Sequence, residues 1–318
     1  MPLLDVKGLK MYYSVSSGLV RAVDDVSFEL EKGVSLGFVG ESGCGKSSLA
    51  LTVLRILPSN AKIVGGEVLL DGEDILKLPE DVLRRKVRWK KISMVFQGAM
   101  SALNPIIKVG DQIAEAITIH EDVKKSEAME RAGKLLSLVG MDPSRMNSYP
   151  FELSGGMKQR AMIAMALALN PKILIADEPT TALDVIVQAQ TLKLIKGLQE
   201  KLGLSLILIS HDVSAIAEVC DRVAVMYAGK IVEHGSAVEI YKNPLHPYTK
   251  GLLASVLSIK GKRKRLRGIP GAPPNLVNPP SGCRFNPRCP YVMDKCKERS
   301  PELSEVSADH YVACFMEH

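Results

Sequence analysis

The chain has 318 residues, 46% of them hydrophobic and 24% charged, with a formal net charge of +6. That length holds one large domain with a smaller appendage, and the hydrophobic share is that of an ordinary globular protein with a sizeable core. The mild positive charge permits contact with phosphates or an anionic membrane surface, but it does not call for a nucleic-acid partner.

The opening residues, Met1 to Val6, read as a strand and lack a charged stretch followed by an apolar one, so no secretory leader is expected. The longest apolar run, Ala161 to Leu169, falls well short of the roughly 18 residues that span a bilayer. The chain is therefore expected to be soluble and cytosolic by itself, with any membrane role supplied through partners.

Residues 1 to about 97 look β-rich. Val20 to Leu30 partly alternates apolar and polar positions, as a half-buried strand does, and Gly66 to Gly72 reads as a strand closed by an Asp-Gly turn. Between them, the apolar run Ser35 to Val39 feeds Gly40-Glu41-Ser42-Gly43-Cys44-Gly45-Lys46-Ser47-Ser48. This is the full P-loop pattern, with a strand before it and helix-forming residues after it. Glycines at that spacing turn backbone N–H groups inward around phosphates at a helix start. Lys46 would supply charge to the β- and γ-phosphates, and Ser47 a hydroxyl for Mg²⁺. Cys44 reads as a small side chain in a tight turn, with sensitivity to thiol reagents the other reading. Alone, the loop says only that a nucleotide phosphate is bound.

Ile92 to Phe96 reads as a strand ending at Gln97, whose neutral amide is a candidate for contact with Mg²⁺ or the attacking water. From about Met100 to Leu153 strand signals vanish. Ala128 to Val139 is amphipathic, with Gly140 as its stop. Leu153-Ser154-Gly155-Gly156-Met157 then opens the apolar helix Ala161 to Leu169, a second helix start suited to an anion or to a simple cap.

The α/β pattern resumes with Ile173 to Ala176 and Ser205 to Ile209. Ligands in such sheets lie beyond the carboxyl ends of the strands. Asp177 is accordingly the candidate Mg²⁺ ligand, Glu178 the residue that polarises water, and His211 a γ-phosphate contact. A basic run, Lys260 to Arg267, and a Gly/Pro-rich stretch to Gly282 read as a linker, the run being a solvated tether or, less simply, a contact for a membrane surface or nucleic acid. Cys283, Cys289, Cys296 and Cys314 follow at gaps of five, six and seventeen residues. In a reducing compartment four thiolates suit a [4Fe–4S] cluster or a Cys₄ zinc site, zinc preferring tighter pairs; free or disulfide-bonded cysteines are the plain alternative.

In order, the P-loop, Gln97, Leu153–Met157, Asp177-Glu178, Thr181–Asp184 and His211 resemble the ATPase subunits of ABC transporters over roughly residues 3 to 255. The resemblance implies an α/β P-loop ABC ATPase core over residues 1–259 with a β-rich N-terminal part, a helical insertion at about 98–155, and a small Cys-rich module at 260–318. It implies that two such subunits sandwich ATP, with Ser154, Gly155 and Gly156 contacting ATP held by the other subunit and Asp184 lining the interface. Tyr13 matches the aromatic that stacks on adenine, with Tyr12 as the other candidate. The helical insertion would dock on a membrane permease. The main competitor, a soluble ABC protein of DNA repair or translation, usually carries long coiled-coil insertions or two ATPase halves, and neither is present.

Met100–Pro105 and Asn243–Leu253, with the Cys-rich tail, look like the dipeptide/oligopeptide importer branch. Met157, where the wider family has Gln, is normal for that branch, whereas Gly98-Ala99 departs from its usual acid followed by Pro. The branch implies a paralogous second ATPase, two permease subunits, an extracellular substrate-binding protein and a place at the cytoplasmic face of the membrane. Peptide is the implied cargo, although some relatives import nickel or oligosaccharides. An iron–sulfur cluster on the four tail cysteines is implied as well.

Overall fold

Two antiparallel strands open the chain, β1 (Leu4–Val15) and β2 (Gly18–Leu30), paired from Leu4↔Leu30 to Val15↔Gly18. The computed structural model describes residues 1–98, 102–255 and 268–317. Ala99, Met100, Ser101 and the basic run Lys260–Arg267 therefore lie outside the described residues. Along β2 buried and exposed positions alternate from Val26 to Leu30, the period of a strand with one covered face.

β3 (Ser35–Val39) is buried at every position, as a strand covered on both faces must be. Its end leads into the glycine loop and α1 (Lys46–Val53). β4 (Ala61–Leu70) and β5 (Glu73–Asp74) form a hairpin across the expected Asp71-Gly72 turn, and β4 begins earlier than its sequence pattern shows. The first sheet has the order β2-β1-β4-β5.

The chain then passes into a second unit, Lys77–Leu208. A short α2 (Glu80–Val82) runs into one π-helical turn at Leu83–Val87, followed by β6 (Ile92–Val95). Next come α3 (Val109–His120), α4 (Lys125–Leu138) and α5 (Gly155–Ala166), then β7 (Ile173–Asp177), α6 (Val185–Leu202) and β8 (Ser205–Ile209). No strand lies between β6 and β7 among the described residues. Small buried side chains (Ala114 and Ala116 on α3, Ala128 on α4) let the helices approach closely over Ile117 and Ala168. Trp89 closes this cluster and donates its indole N–H to the Met165 carbonyl at 2.8 Å.

The remaining elements rejoin the first unit, which comprises Met1–Leu76 and Ile209–His318. They are α7 (Val213–Val219), β9 (Arg222–Tyr227), β10 (Lys230–Ser236), α8 (Ala237–Lys242), α9 (Pro247–Ala254), α10 (Asp294–Glu298), β11 (Ser304–Ser307) and β12 (His310–Val312). Strands run in the order β11-β12-β10-β9-β3, with β3 and β9 parallel. The last strand of the Cys-rich tail pairs with β10 from Glu233↔Val312 to Gly235↔His310. The tail is also pinned by Arg284, buried and bonded to the Asp24 carboxylate and the Ala228 carbonyl.

Candidate active site

The glycine loop leaves the carboxyl end of β3 and folds tightly over its own lysine. Lys46 is buried, and its ammonium donates to the Gly40 carbonyl at 2.7 Å and the Glu41 carbonyl at 3.2 Å. Gly45 stands at the N-cap of α1 with φ 109° and brings no side chain to the first-turn N–H groups. A Cβ there would lie 2.1 Å from the Ala22 carbonyl oxygen, so only glycine fits. Cys44 is buried rather than reagent-accessible, and burial pushes its thiol up despite the neighbouring Lys46. Of the two expected readings of Cys44, the geometry matches the small side chain in a tight turn.

Tyr13 and Tyr12 separate cleanly. The Tyr13 hydroxyl lies 3.0 Å from Ser48 Oγ, the third residue of α1, so this ring sits beside the phosphate loop. Tyr12 instead donates to Asp24 at 2.6 Å and belongs to the buried Asp24–Arg284 pair. Burial first, and the Asp24 bond second, push its phenol up to about 12. On the same unit Ser210 N–H donates to the Phe38 carbonyl at 3.2 Å, which brings the exposed His211 to the end of β3 where the loop begins.

In the second unit the parallel pairing of β6 and β7 sets Val95 opposite Ala176. Continuing that register brings Gln97 opposite Glu178, and Gln97 Nε2 donates to Glu178 Oε2 at 3.1 Å. Thr181 Oγ1 donates to the same oxygen at 3.0 Å. Glu178 holds a left-handed backbone, φ 44°, unusual for a residue of this type and a constraint on where its carboxylate points. Asp177, one residue earlier, is buried at the end of β7.

Ser154 caps α5, accepting from Met157 N–H at 3.3 Å, and Asp184 caps α6, accepting from Val187 N–H at 3.0 Å. These two helix starts are neighbours, because a Cβ on Gly156 would meet Val187 Cγ1 at 2.8 Å. Both capping residues are exposed, and beside Asp184 so are Val185 (80%) and Ile186 (71%).

The ABC transporter family model matches residues 23–181, and that of the oligopeptide/dipeptide transporter C-terminal region matches 232–296. The chain is 49% identical to the probable peptide ABC transporter ATP-binding protein y4tR of Sinorhizobium fredii, over 98% of this chain and 94% of that one. The chain belongs to the ABC transporter ATPase family. It is also 46% identical to the oligopeptide transport ATP-binding protein OppD of Escherichia coli, over 98% and 93% of the two chains. Among solved structures it is similar to the ATP-binding cassette MJ0796, seen as a dimer in a post-hydrolysis state bound to ADP and Pi. That likeness has a TM-score of 0.66 and 27% identity, and covers 74% of this chain and 98% of that one. The fold is accordingly the P-loop ABC ATPase fold with mixed sheets, and its chemistry is ATP hydrolysis.

In this ABC ATPase the four tail cysteines are all free, and together with His246 and Phe285 they line one pocket. Among the described residues no group of three or more His, Cys, Asp or Glu is arranged to hold a metal ion. Burial pushes Cys283 up to about 11, and it raises Cys289 and Cys314 as well, with the neighbouring cysteines adding to each rise. A metal bound by these thiols would displace their protons.

Three residues around the ABC ATPase's phosphate loop, Arg288, Tyr248 and Glu233, were given no role in the site by the sequence, although Tyr248 lies in the stretch Asn243–Leu253. Arg288, just before Cys289, grips the Glu41 carboxylate with both arms of its guanidinium, at 2.6 and 3.0 Å. Tyr248 OH accepts the Glu41 N–H at 2.8 Å. Tyr248 is itself placed by the buried Glu233, whose carboxylate accepts the Leu245 and His246 N–H groups at 2.7 and 2.9 Å and meets His310 Nε2 at 2.8 Å. No local motif encodes such a network, since its bonded partners lie up to 247 positions apart.

Proposed function

We propose that this chain is the ATP-hydrolysing motor of an importer of di- or oligopeptides. It would sit at the cytoplasmic face of the membrane beside a paralogous ATPase, two permease subunits and an extracellular substrate-binding protein. One observation carries the reading: proteins named for peptide, dipeptide and oligopeptide transport align with this chain over nearly the whole length of both, Cys-rich tail included. No described helix is long and apolar enough to cross a membrane, so passage of cargo would fall to partners.

Residue roles follow from chemistry. Lys46 and the N–H groups at the start of α1 hold the β- and γ-phosphates, with Gly40, Ser42, Gly43, Cys44, Gly45 and Ser48 shaping the loop. Tyr13 stacks on adenine, its position beside Ser48 supporting that role. The Ser47 hydroxyl, Gln97 amide and Asp177 carboxylate offer the hard oxygen donors that Mg²⁺ prefers, and the bound ion neutralises phosphate charge. Glu178 takes the proton of the attacking water, with Gln97 and Thr181 fixing its carboxylate. His211 contacts the γ-phosphate. Ser154, Gly155 and Gly156 complete the ATP site of the second subunit, and Asp184, with Val185 and Ile186 exposed beside it, lies at that interface.

The four tail cysteines would hold a [4Fe–4S] cluster. What supports this is their convergence on a single pocket and their free state. The cluster would staple a tail that is otherwise short of regular structure, and no step of hydrolysis depends on it.

Affinity purification in mild detergent, followed by uptake assays in a strain lacking this chain, tests the transport reading. Co-purification of two hydrophobic permease subunits and loss of peptide uptake are the expected results. A chain that copurifies with no membrane protein, with peptide uptake intact in its absence, would contradict the reading.

A further inference from the structure

We propose that Arg288, in the Cys-rich tail, is a positioning residue for nucleotide: it neutralises and holds Glu41 so that the glycine loop can accept a triphosphate. The proposal rests on the reading of Gly40–Ser48 as the phosphate loop.

Glu41 is an acid in the second position of a loop whose task is to gather negative charge. Left alone, its carboxylate would oppose the incoming phosphates. Arg288 cancels that charge with a two-pronged contact, the geometry at which a guanidinium excels and an ammonium does not. The guanidinium is itself immobilised. Nε donates to the Pro270 carbonyl at 2.8 Å, Nη2 to the Ile269 carbonyl at 3.3 Å and Nη1 to the Tyr227 hydroxyl at 3.3 Å. Its carbon lies 5.7 Å from the centre of the Tyr227 ring, and only 4% of the side chain is exposed.

The grip reaches the chemistry through the main chain of Glu41. Its N–H is fixed by Tyr248 and its carbonyl accepts the Lys46 ammonium. The side-chain anchor, the backbone anchor and the phosphate-binding lysine thus meet in one residue. A shift of the Glu41 carboxylate would carry the carbonyl that aims Lys46.

The test is titration of ATP onto the full-length chain, with KM and kcat measured in parallel, for R288Q, E41Q and the double variant. R288Q should weaken ATP binding and raise KM about tenfold, the scale of one uncancelled charge roughly 12 Å from another at an effective dielectric of about 20, while kcat changes less than about twofold. The double variant should recover part of the affinity, because the opposing charge is gone although the two-pronged anchor is not restored. The R288Q defect should also shrink at high salt. Unchanged affinity in R288Q overturns the proposal, as does a double variant no better than R288Q, the behaviour of a tail that merely supports folding. If R288Q does not fold, E41Q decides: ATP binding at least as tight as wild type supports the proposal, and weaker binding overturns it. A wild-type chain that binds no ATP would instead bring down the phosphate-loop reading, and this proposal with it.

Discussion

The Gln97 side-chain amide donates to the Glu178 carboxylate at 3.1 Å, joining the residues that follow two parallel strands. A general base works only when its lone pair is aimed; in the proposed role of Glu178 as that base, this bond and that of Thr181 would do the aiming. Glu178→Gln keeps the shape and removes the base. Turnover should fall about 10²- to 10⁴-fold with ATP binding retained, the usual scale for loss of a positioned base. Phosphate release and nucleotide retention, measured on one preparation, check this.

Gln97→Ala removes one of the two donors and leaves the base. Loss of a hydrogen bond of about 1 kcal/mol predicts a fall in turnover of about five- to tenfold. Steady-state kinetics at saturating ATP provide the check. A fall as large as that of Glu178→Gln would mean that Gln97 does more than aim.

Lys46 is buried with its ammonium against two carbonyls of its own loop, and in the proposed role it exchanges them for phosphate oxygens. Lys46→Ala should weaken nucleotide by about ten- to a hundredfold, the worth of a hydrogen bond to a charged group, and should abolish turnover. Calorimetric titration with ATP reads the first effect directly.

Gly45→Ala would bring a methyl group to 2.1 Å from the Ala22 carbonyl in a backbone conformation that side chains disfavour. Strain plus overpacking predicts a loss of about 2 kcal/mol or more. Thermal melting of the variant beside wild type measures it, and an unchanged melting temperature would mean that the loop relaxes freely.

The cysteine pocket gives a composition that can be assayed. Anaerobically purified protein should carry iron and acid-labile sulfide in equal amounts, and Cys296→Ser should lose both. Zinc without sulfide would replace the cluster with a zinc site.

Much of this was legible in the sequence, and the reasons are local. Ser35–Val39 is a strand because five consecutive buried positions need covering on both faces, and the apolar run states that. Helix α4 (Lys125–Leu138) ends before Gly140, as its amphipathic pattern and glycine stop predict. The loop, the Asp177-Glu178 pair and the Ser154-Gly155-Gly156 helix start were visible because their chemistry demands fixed residue types at fixed spacing. The four thiols meet in one pocket, but the burial that raises the Cys283, Cys289 and Cys314 thiols is not encoded in their spacing. The Arg288–Glu41 and Tyr248–Glu41 contacts were hidden because they join residues more than 200 positions apart with no repeating pattern. Tyr13 was the preferred aromatic on paper, with Tyr12 as the fallback. They part in the structure because alternate strand residues face opposite sides, one toward Asp24 and one toward Ser48.

The motor reading turns most directly on where Ser154 goes when nucleotide is bound. A structure of the Glu178→Gln variant in its full complex with Mg·ATP should show the Ser154 hydroxyl within hydrogen-bonding distance of the γ-phosphate of ATP held in the second subunit's glycine loop. Ser154 remaining in solvent, remote from every triphosphate in the closed complex, would contradict it.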